Sequence, residues 1–280
     1  MIKLKYQFFF LFIFGSVQLF GQSNNFKKAF EVGVFGGGAY YIGDLNPTKH
    51  FVYSEPAYGA VVRFNLSKRH SFRLTGTYAT ISANDANSAD PWQVNRNLNF
   101  QSTLFEVAAG FEVCLLPYAI NDLKNRFTPY FFYELAWLRM NPTTANVNGN
   151  EVVLNDFGTE GQGSTLSDQR NYFLNQFTVP LGVGIKFNIV KRVALSFEYG
   201  IRLTFTDYLD DVSGNYINQA DLANLRGPLA ASIADPSLNN ISSVPSANRG
   251  NPNNKDWYSF YGAMLTIKPW KYNVCNMFQQ

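Results

Sequence analysis

Residues able to do chemistry are few in this 280-residue chain, which has only two histidines and two cysteines. Nucleophilic catalysis needs a Ser, Cys or Thr with a base, most often histidine, within hydrogen-bond reach. His50 lies in a long polar segment and His70 in a short basic turn, and neither is placed on a strand rim beside a serine. The scattered His and Cys positions make no zinc pattern. Asp207, Asp210 and Asp211 with Ser213 are a calcium candidate, but without EF-hand spacing they fit a solvated or ion-paired loop start better. Gly36-Gly37-Gly38 precedes no Gly-Lys-Ser/Thr, so it is no phosphate loop. It suits a bend, or a place where another group comes close. The chain is therefore expected to be non-enzymatic, with no cofactor and no metal.

A larger set of charges has a clear spacing. It alternates with apolar residues along strands. From Val193 to Thr206, Leu195, Phe197, Tyr199, Ile201 and Leu203 share one face, while Ser196, Glu198, Gly200 and Arg202 share the other. This period of two is the mark of a β-strand with one apolar face. It recurs over 55–66, 71–82, 100–116, 128–140 and 173–190, and more weakly over 28–42 and 257–269. Pro180 should interrupt the ladder of its strand or mark a bulge. On the polar faces lie Glu31, Glu106, Glu112, Glu134 and Glu198, with Arg63, Arg73, Lys186, Arg202 and Lys268. Five acids face five bases, and enclosed charges must be paired. Glu198 and Arg202 are four residues apart on one strand, about 13 Å, so each should pair across strands.

Composition says what surrounds these strands. Aromatic residues are 16 % and charged residues 15 %, against roughly a quarter charged in an ordinary soluble domain. The net charge of +3 includes Lys3 and Lys5 at the start of the chain, and no basic stripe points to nucleic acid. Lys3, Lys5, the apolar run Phe8 to Phe14 and the small residues that follow read as a signal peptide over 1–21. No later run is apolar for 18 residues, so a membrane role requires a closed barrel. The connections alternate between short ones (67–70, 118–127, 190–192) and long polar ones (43–54, 83–97, 141–172, 207–256). A meander barrel has this rhythm, with short periplasmic turns and long outer loops. The expected fold is all-β: a transmembrane antiparallel up-and-down β-barrel of about eight strands over 22–270, with a periplasmic tail over 271–280. Its place is the cell outer membrane, in contact with lipid. Eight strands enclose only side chains or one small ligand, so an open pore is not expected. In the last loop, Leu222, Leu225 and Leu229 have helical spacing, which Pro228 weakens. Cys114 and Cys275 both fall towards the periplasmic end. A bridge between them, a crosslink from Cys275 to a partner, and two free thiols all remain open.

Two stretches carry a family likeness. They are Gly38-Ala39-Tyr40-Tyr41-Ile42-Gly43-Asp44-Leu45-Asn46 and the run from Glu198 to Gly214 (EYGIRLTFTDYLDDVSG). With the strand layout, they resemble the PorG-like outer-membrane barrels of the Bacteroidota. The resemblance implies a type IX secretion system component that anchors a periplasmic ring of PorK and PorN proteins. Under that reading Lys68, Arg69, Lys191, Arg192 and Lys271 would meet the partner. The other reading is an adhesin or ligand receptor acting through its long outer loops.

Overall fold

Alternating side chains require a sheet with two unlike faces, and the computed structural model closes that sheet into a ring. It describes residues 29–145, 149–244 and 247–269. The strands are β1 (Ala29–Ile42), β2 (Glu55–Asn65), β3 (His70–Asn84), β4 (Asn99–Cys114), β5 (Phe127–Ala145), β6 (Glu151–Val153), β7 (Asn175–Val190), β8 (Val193–Thr204) and β9 (Trp257–Ile267). All pairings are antiparallel. β1 to β5 pair in sequence, β5 continues to β7, β8 and β9, and β9 returns to β1. Eight strands thus form a closed barrel with no open edge. The short β6 stands outside the ring, paired to the end of β5 through Thr143↔Val153 and Ala145↔Glu151.

The two faces separate sharply. On β4, Phe105 and Val107 are 44 % and 46 % exposed, while Glu106 and Ala108 between them are 1 % exposed. Tyr58, Leu74, Leu135, Phe177, Val183, Phe197, Leu203 and Leu265 continue the exposed apolar belt around the ring. A water-soluble monomer rarely shows so continuous an apolar surface, whereas a membrane barrel requires it. Among the described residues no helix is long and apolar enough to cross a membrane; the strands do so. β5 has 19 residues where about 9–11 suffice to span, and its surplus rises into the outer loops.

Local departures have local causes. Pro180 keeps its place opposite Arg202 on β8, but the β5–β7 ladder lapses between Tyr133↔Leu181 and Ala136↔Thr178 with its register unchanged. The ring nitrogen has no hydrogen to offer β5. A register shift occurs instead at Asn188/Val190, near the β7–β8 turn. The last loop holds two helices rather than one. α3 (Gln219–Arg226) and α4 (Pro228–Ala234) meet at Gly227, whose φ is 92°. Pro228 therefore opens a helix, where its missing N–H costs nothing. α1 (Pro91–Arg96) and α2 (Leu154–Phe157) complete the outer loops. At the β1–β9 seam a Cβ on Gly37 would lie 1.9 Å from the Tyr261 carbonyl oxygen, so glycine is what lets the first and last strands meet.

A charge placed in the belt tests its surroundings. Leu135→Arg should cost about 2–4 kcal/mol if Leu135 faces mid-bilayer hydrocarbon, and Leu135→Met less than about 1.5 kcal/mol. Urea unfolding in lipid vesicles measures both. Equal stabilities would mean that water surrounds this face.

Candidate functional site

The inward side chains of seven strands build one ion-pair core. Arg63 on β2 reaches Glu112 on β4 at 2.8 Å, Glu198 on β8 at 3.0 Å and Glu31 on β1 at 3.9 Å. Arg73 on β3 grips both oxygens of Glu198 at 3.1 Å and approaches Glu134 on β5 at 3.3 Å. Lys186 on β7 donates to Glu112 at 2.5 Å. The Tyr130 hydroxyl donates to Glu198 at 2.5 Å. Nearer the outer end, Arg202 lies 3.6 Å from Glu106, which also accepts the Tyr258 hydroxyl at 2.5 Å. Glu198 and Arg202 thus choose different partners across the ring. Arg73 stacks on Phe132 and Arg202 on Phe260, with the guanidinium carbon 4.3 and 4.2 Å from the ring centres. Lys268 is absent from this core. It follows the end of β9, half-buried, and its backbone N–H donates to Arg192. The inward charges are therefore five acids against four bases, not five against five.

The lumen is nearly filled beside the charges, while a cavity of about 150 Å³ lies in the roof between Leu45, Leu98, Leu154, Val212 and Ile233. The cavity beside Arg73, Glu198 and Arg202 measures about 20 Å³, space for one water. Below the charges, the segment between β4 and β5 folds back as a floor. Tyr118 and Ile120 are buried against Cys114, Tyr130, Phe132 and Ala194. Sequence spacing suggested only a short link there. Cys114 is buried and forms no disulfide among the described residues, while Cys275 and Lys271 lie outside them, as does the whole 1–21 segment.

Above the charges sits a roof. Tyr41, Ile81, Phe100, Leu104, Leu138 and Met140 from the strands pack with Leu45, Leu98, Leu154, Leu209, Val212 and Ile233 from the loops. Two buried arginines hold the loops together. Arg96 pairs with Asp85 at 2.6 Å and donates to the carbonyls of Asp44 and Arg249. Arg249 pairs with Glu160 at 3.1 Å and donates to the carbonyls of Asp211 and Ala234. Sequence reasoning missed both. Their signal was scarcity: they are among the few cations in loops rich in aspartate.

The aspartates singled out in the sequence do not converge. Asp207 accepts from Ser213 at 2.7 Å, Asp210 from Tyr41 at 2.5 Å, and Asp211 from Thr159 and Tyr172 at 2.5 and 2.7 Å. Among the described residues no three His, Cys, Asp or Glu side chains are grouped to hold a metal. His50 meets the Tyr40 hydroxyl at 3.0 Å. His70 does have a serine beside it, contrary to expectation, with Ser67 Oγ 3.2 Å from its Nδ1. Ser67 Oγ also accepts the N–H groups of Arg69 and His70. This is the bonding of a closed turn, which uses the hydroxyl as an acceptor rather than freeing it for attack. Lys68, Arg69 and Lys191 are exposed in the periplasmic turns, and Arg192 is half-buried.

Two outcomes follow. Glu198→Ala takes from Arg63 and Arg73 the carboxylate they share, leaving Arg63 to Glu112 and Arg73 to Glu134, and should cost up to about 3–5 kcal/mol in urea unfolding from vesicles. In the cap, burial pushes the Asp211 carboxyl up to about 6, against the pull of Arg249. The folded cap then holds this proton more tightly than the unfolded loop does, so stability falls as pH rises from about 4 to 6. Proteolysis of the outer loops should be slower at pH 5 than at pH 7. Asp211→Asn, suited to the left-handed φ of 66° there, should narrow that difference and leave the share of Asp207, whose carboxyl burial also pushes up to about 6.

Solved structures with a similar course through space include Neisserial surface protein A (10 % identical, 87 % of this chain and 100 % of that one, TM-score 0.42). Others are Ail of Yersinia pestis in complex with sucrose octasulfate (7 %, 86 % and 100 %, 0.39) and OprG of Pseudomonas aeruginosa (9 %, 86 % and 98 %, 0.38). No curated protein sequence matches the chain. One sequence family does match, over residues 7–276, and this closed eight-stranded β-barrel belongs to it: DUF6089, described as a domain of unknown function.

Proposed function

We propose that this outer-membrane barrel is a non-conducting, non-enzymatic surface-binding protein that works through its outer cap. One observation carries the reading. The long loops are folded into a roof with its own apolar core and buried Arg96 and Arg249 pairs, standing on a lumen too full to conduct. Ordering loops costs about 1–2 kcal/mol per residue in backbone entropy. Rigid loops on a rigid scaffold suit recognition, because little entropy is left to lose on binding.

A second reading has support at the other end. The resemblance to PorG-like barrels and the exposed bases of the periplasmic turns favour an anchor for PorK- and PorN-like ring proteins of a type IX secretion system. Affinity purification in mild detergent separates the two readings, since an anchor brings periplasmic ring proteins with it.

Asn215 and Asn248 form an isolated antiparallel bridge, so the segment between them can be replaced by a short Gly-Ser turn. Such a variant should keep its heat-modifiable gel mobility and show no conductance in planar bilayers. Cells displaying it should lose adhesion to immobilised glycans and matrix proteins that the intact protein binds. Undiminished adhesion, or stepwise conductance of the intact protein, would overturn the reading.

A further inference from the structure

Charge is distributed unevenly between the two ends of the barrel. The outer loops carry Asp44, Asp85, Glu160, Asp207, Asp211 and other acids in excess over their bases. The periplasmic rim is the reverse. Its three connections present Lys68 and Arg69, Lys124 and Arg126, and Lys191 and Arg192, while Lys268 follows the last strand. Asp122 is the one acid among the described residues of that rim.

These bases do not stand on a polar surface. Leu115 and Leu116 lie in the same rim and are 53 % and 47 % exposed, and Ile189 and Val190 at the β7 end are 52 % and 53 % exposed. They extend the lipid belt directly to the cations. The rim is also held as a unit. Cys114 N–H donates to the Arg69 carbonyl at 2.7 Å, Tyr118 to Lys68 at 2.8 Å, Asn188 to Arg126 at 2.8 Å and Lys268 to Arg192 at 2.8 Å.

We propose that this rim is a docking collar for anionic phospholipid headgroups of the inner leaflet. An apolar step on the bilayer side of a cationic step matches a lipid in profile, with the acyl chain towards the membrane centre and the phosphate towards the periplasm. Lysine and arginine stems can lie along the apolar step while their heads reach the phosphates, and juxtamembrane bases attract anionic lipid in this way. A soluble acidic protein would match the charges but would have to cover leucines and isoleucines that hydrocarbon already reaches. The collar fixes the depth of the barrel in the bilayer independently of what the outer cap binds.

The test uses the full-length protein in nanodiscs of equimolar phosphatidylglycerol and phosphatidylcholine, with retained lipids counted by native mass spectrometry. The intact protein should retain phosphatidylglycerol in excess. Lys68→Gln with Lys191→Gln should lower that excess, by about fivefold for each surface base removed, and Lys68→Arg with Lys191→Arg should keep it. Lys49→Gln with Lys255→Gln removes the same charge from exposed outer sites and should leave the excess intact. Equal retention of the two lipids by the intact protein would overturn the proposal. So would an unchanged excess in the Lys68/Lys191 glutamine variant, including the case where that variant instead loses a periplasmic protein partner.

Discussion

Closing eight strands removes every exposed backbone edge from hydrocarbon, and the same closure makes the interior too narrow for bulk water. Whatever charge a strand turns inward must then be neutralised by another strand. Glu198 shows how far this reaches. It is held by Arg63, Arg73 and Tyr130, so one carboxylate ties β8 to β2, β3 and β5 across the lumen. A ladder of backbone bonds fixes only neighbours, whereas this cluster fixes opposite walls. Buried ion pairs are often no more stabilising than apolar packing of the same volume. Their contribution here is to penalise any strand register that would leave an arginine without its carboxylate.

The two ends are finished by different means. The floor is a single segment, 115–126, whose Tyr118 and Ile120 turn inward while its bases stay at the rim. The roof draws on all the long connections and repeats on a smaller scale the plan of the lumen, with buried arginines placed among acids. Arg249 reaches Glu160, Asp211 and Ala234, so distant stretches of loop share one donor. Removing a charge from the roof is therefore a change to several loops at once.

Much of the barrel was legible in the sequence, because period-two alternation depends on nothing beyond the chain itself. β8 is the clearest case, with Phe197 and Leu203 outward and Ser196 and Arg202 inward. What escaped was set by contacts distant in sequence. β5 runs to Ala145 because β6 pairs with its tip. Lys268 fits the alternation, yet the strand ends one residue before it. Pro228 reads as a helix breaker until Gly227 is seen to separate two helices. Arg96 and Arg249 sit in irregular loops where no period marks a residue as buried. Only the folded roof brings them to their acids.

The seam between β1 and β9 sets the order of assembly. Val34 pairs with Leu265 and Gly37 with Gly262, so partners are recruited from opposite termini. Joining chain ends so far apart carries a large entropic penalty and little local reward. Every other strand can zip onto a neighbour already made, but the ring waits for its last eleven-residue strand. A ribosome-stalled or clipped chain lacking that strand would present two raw sheet edges, at β1 and β8, each a template for aggregation. The cell must therefore shelter the polypeptide until its final segment arrives, and the bare glycines at the join let that segment slide home.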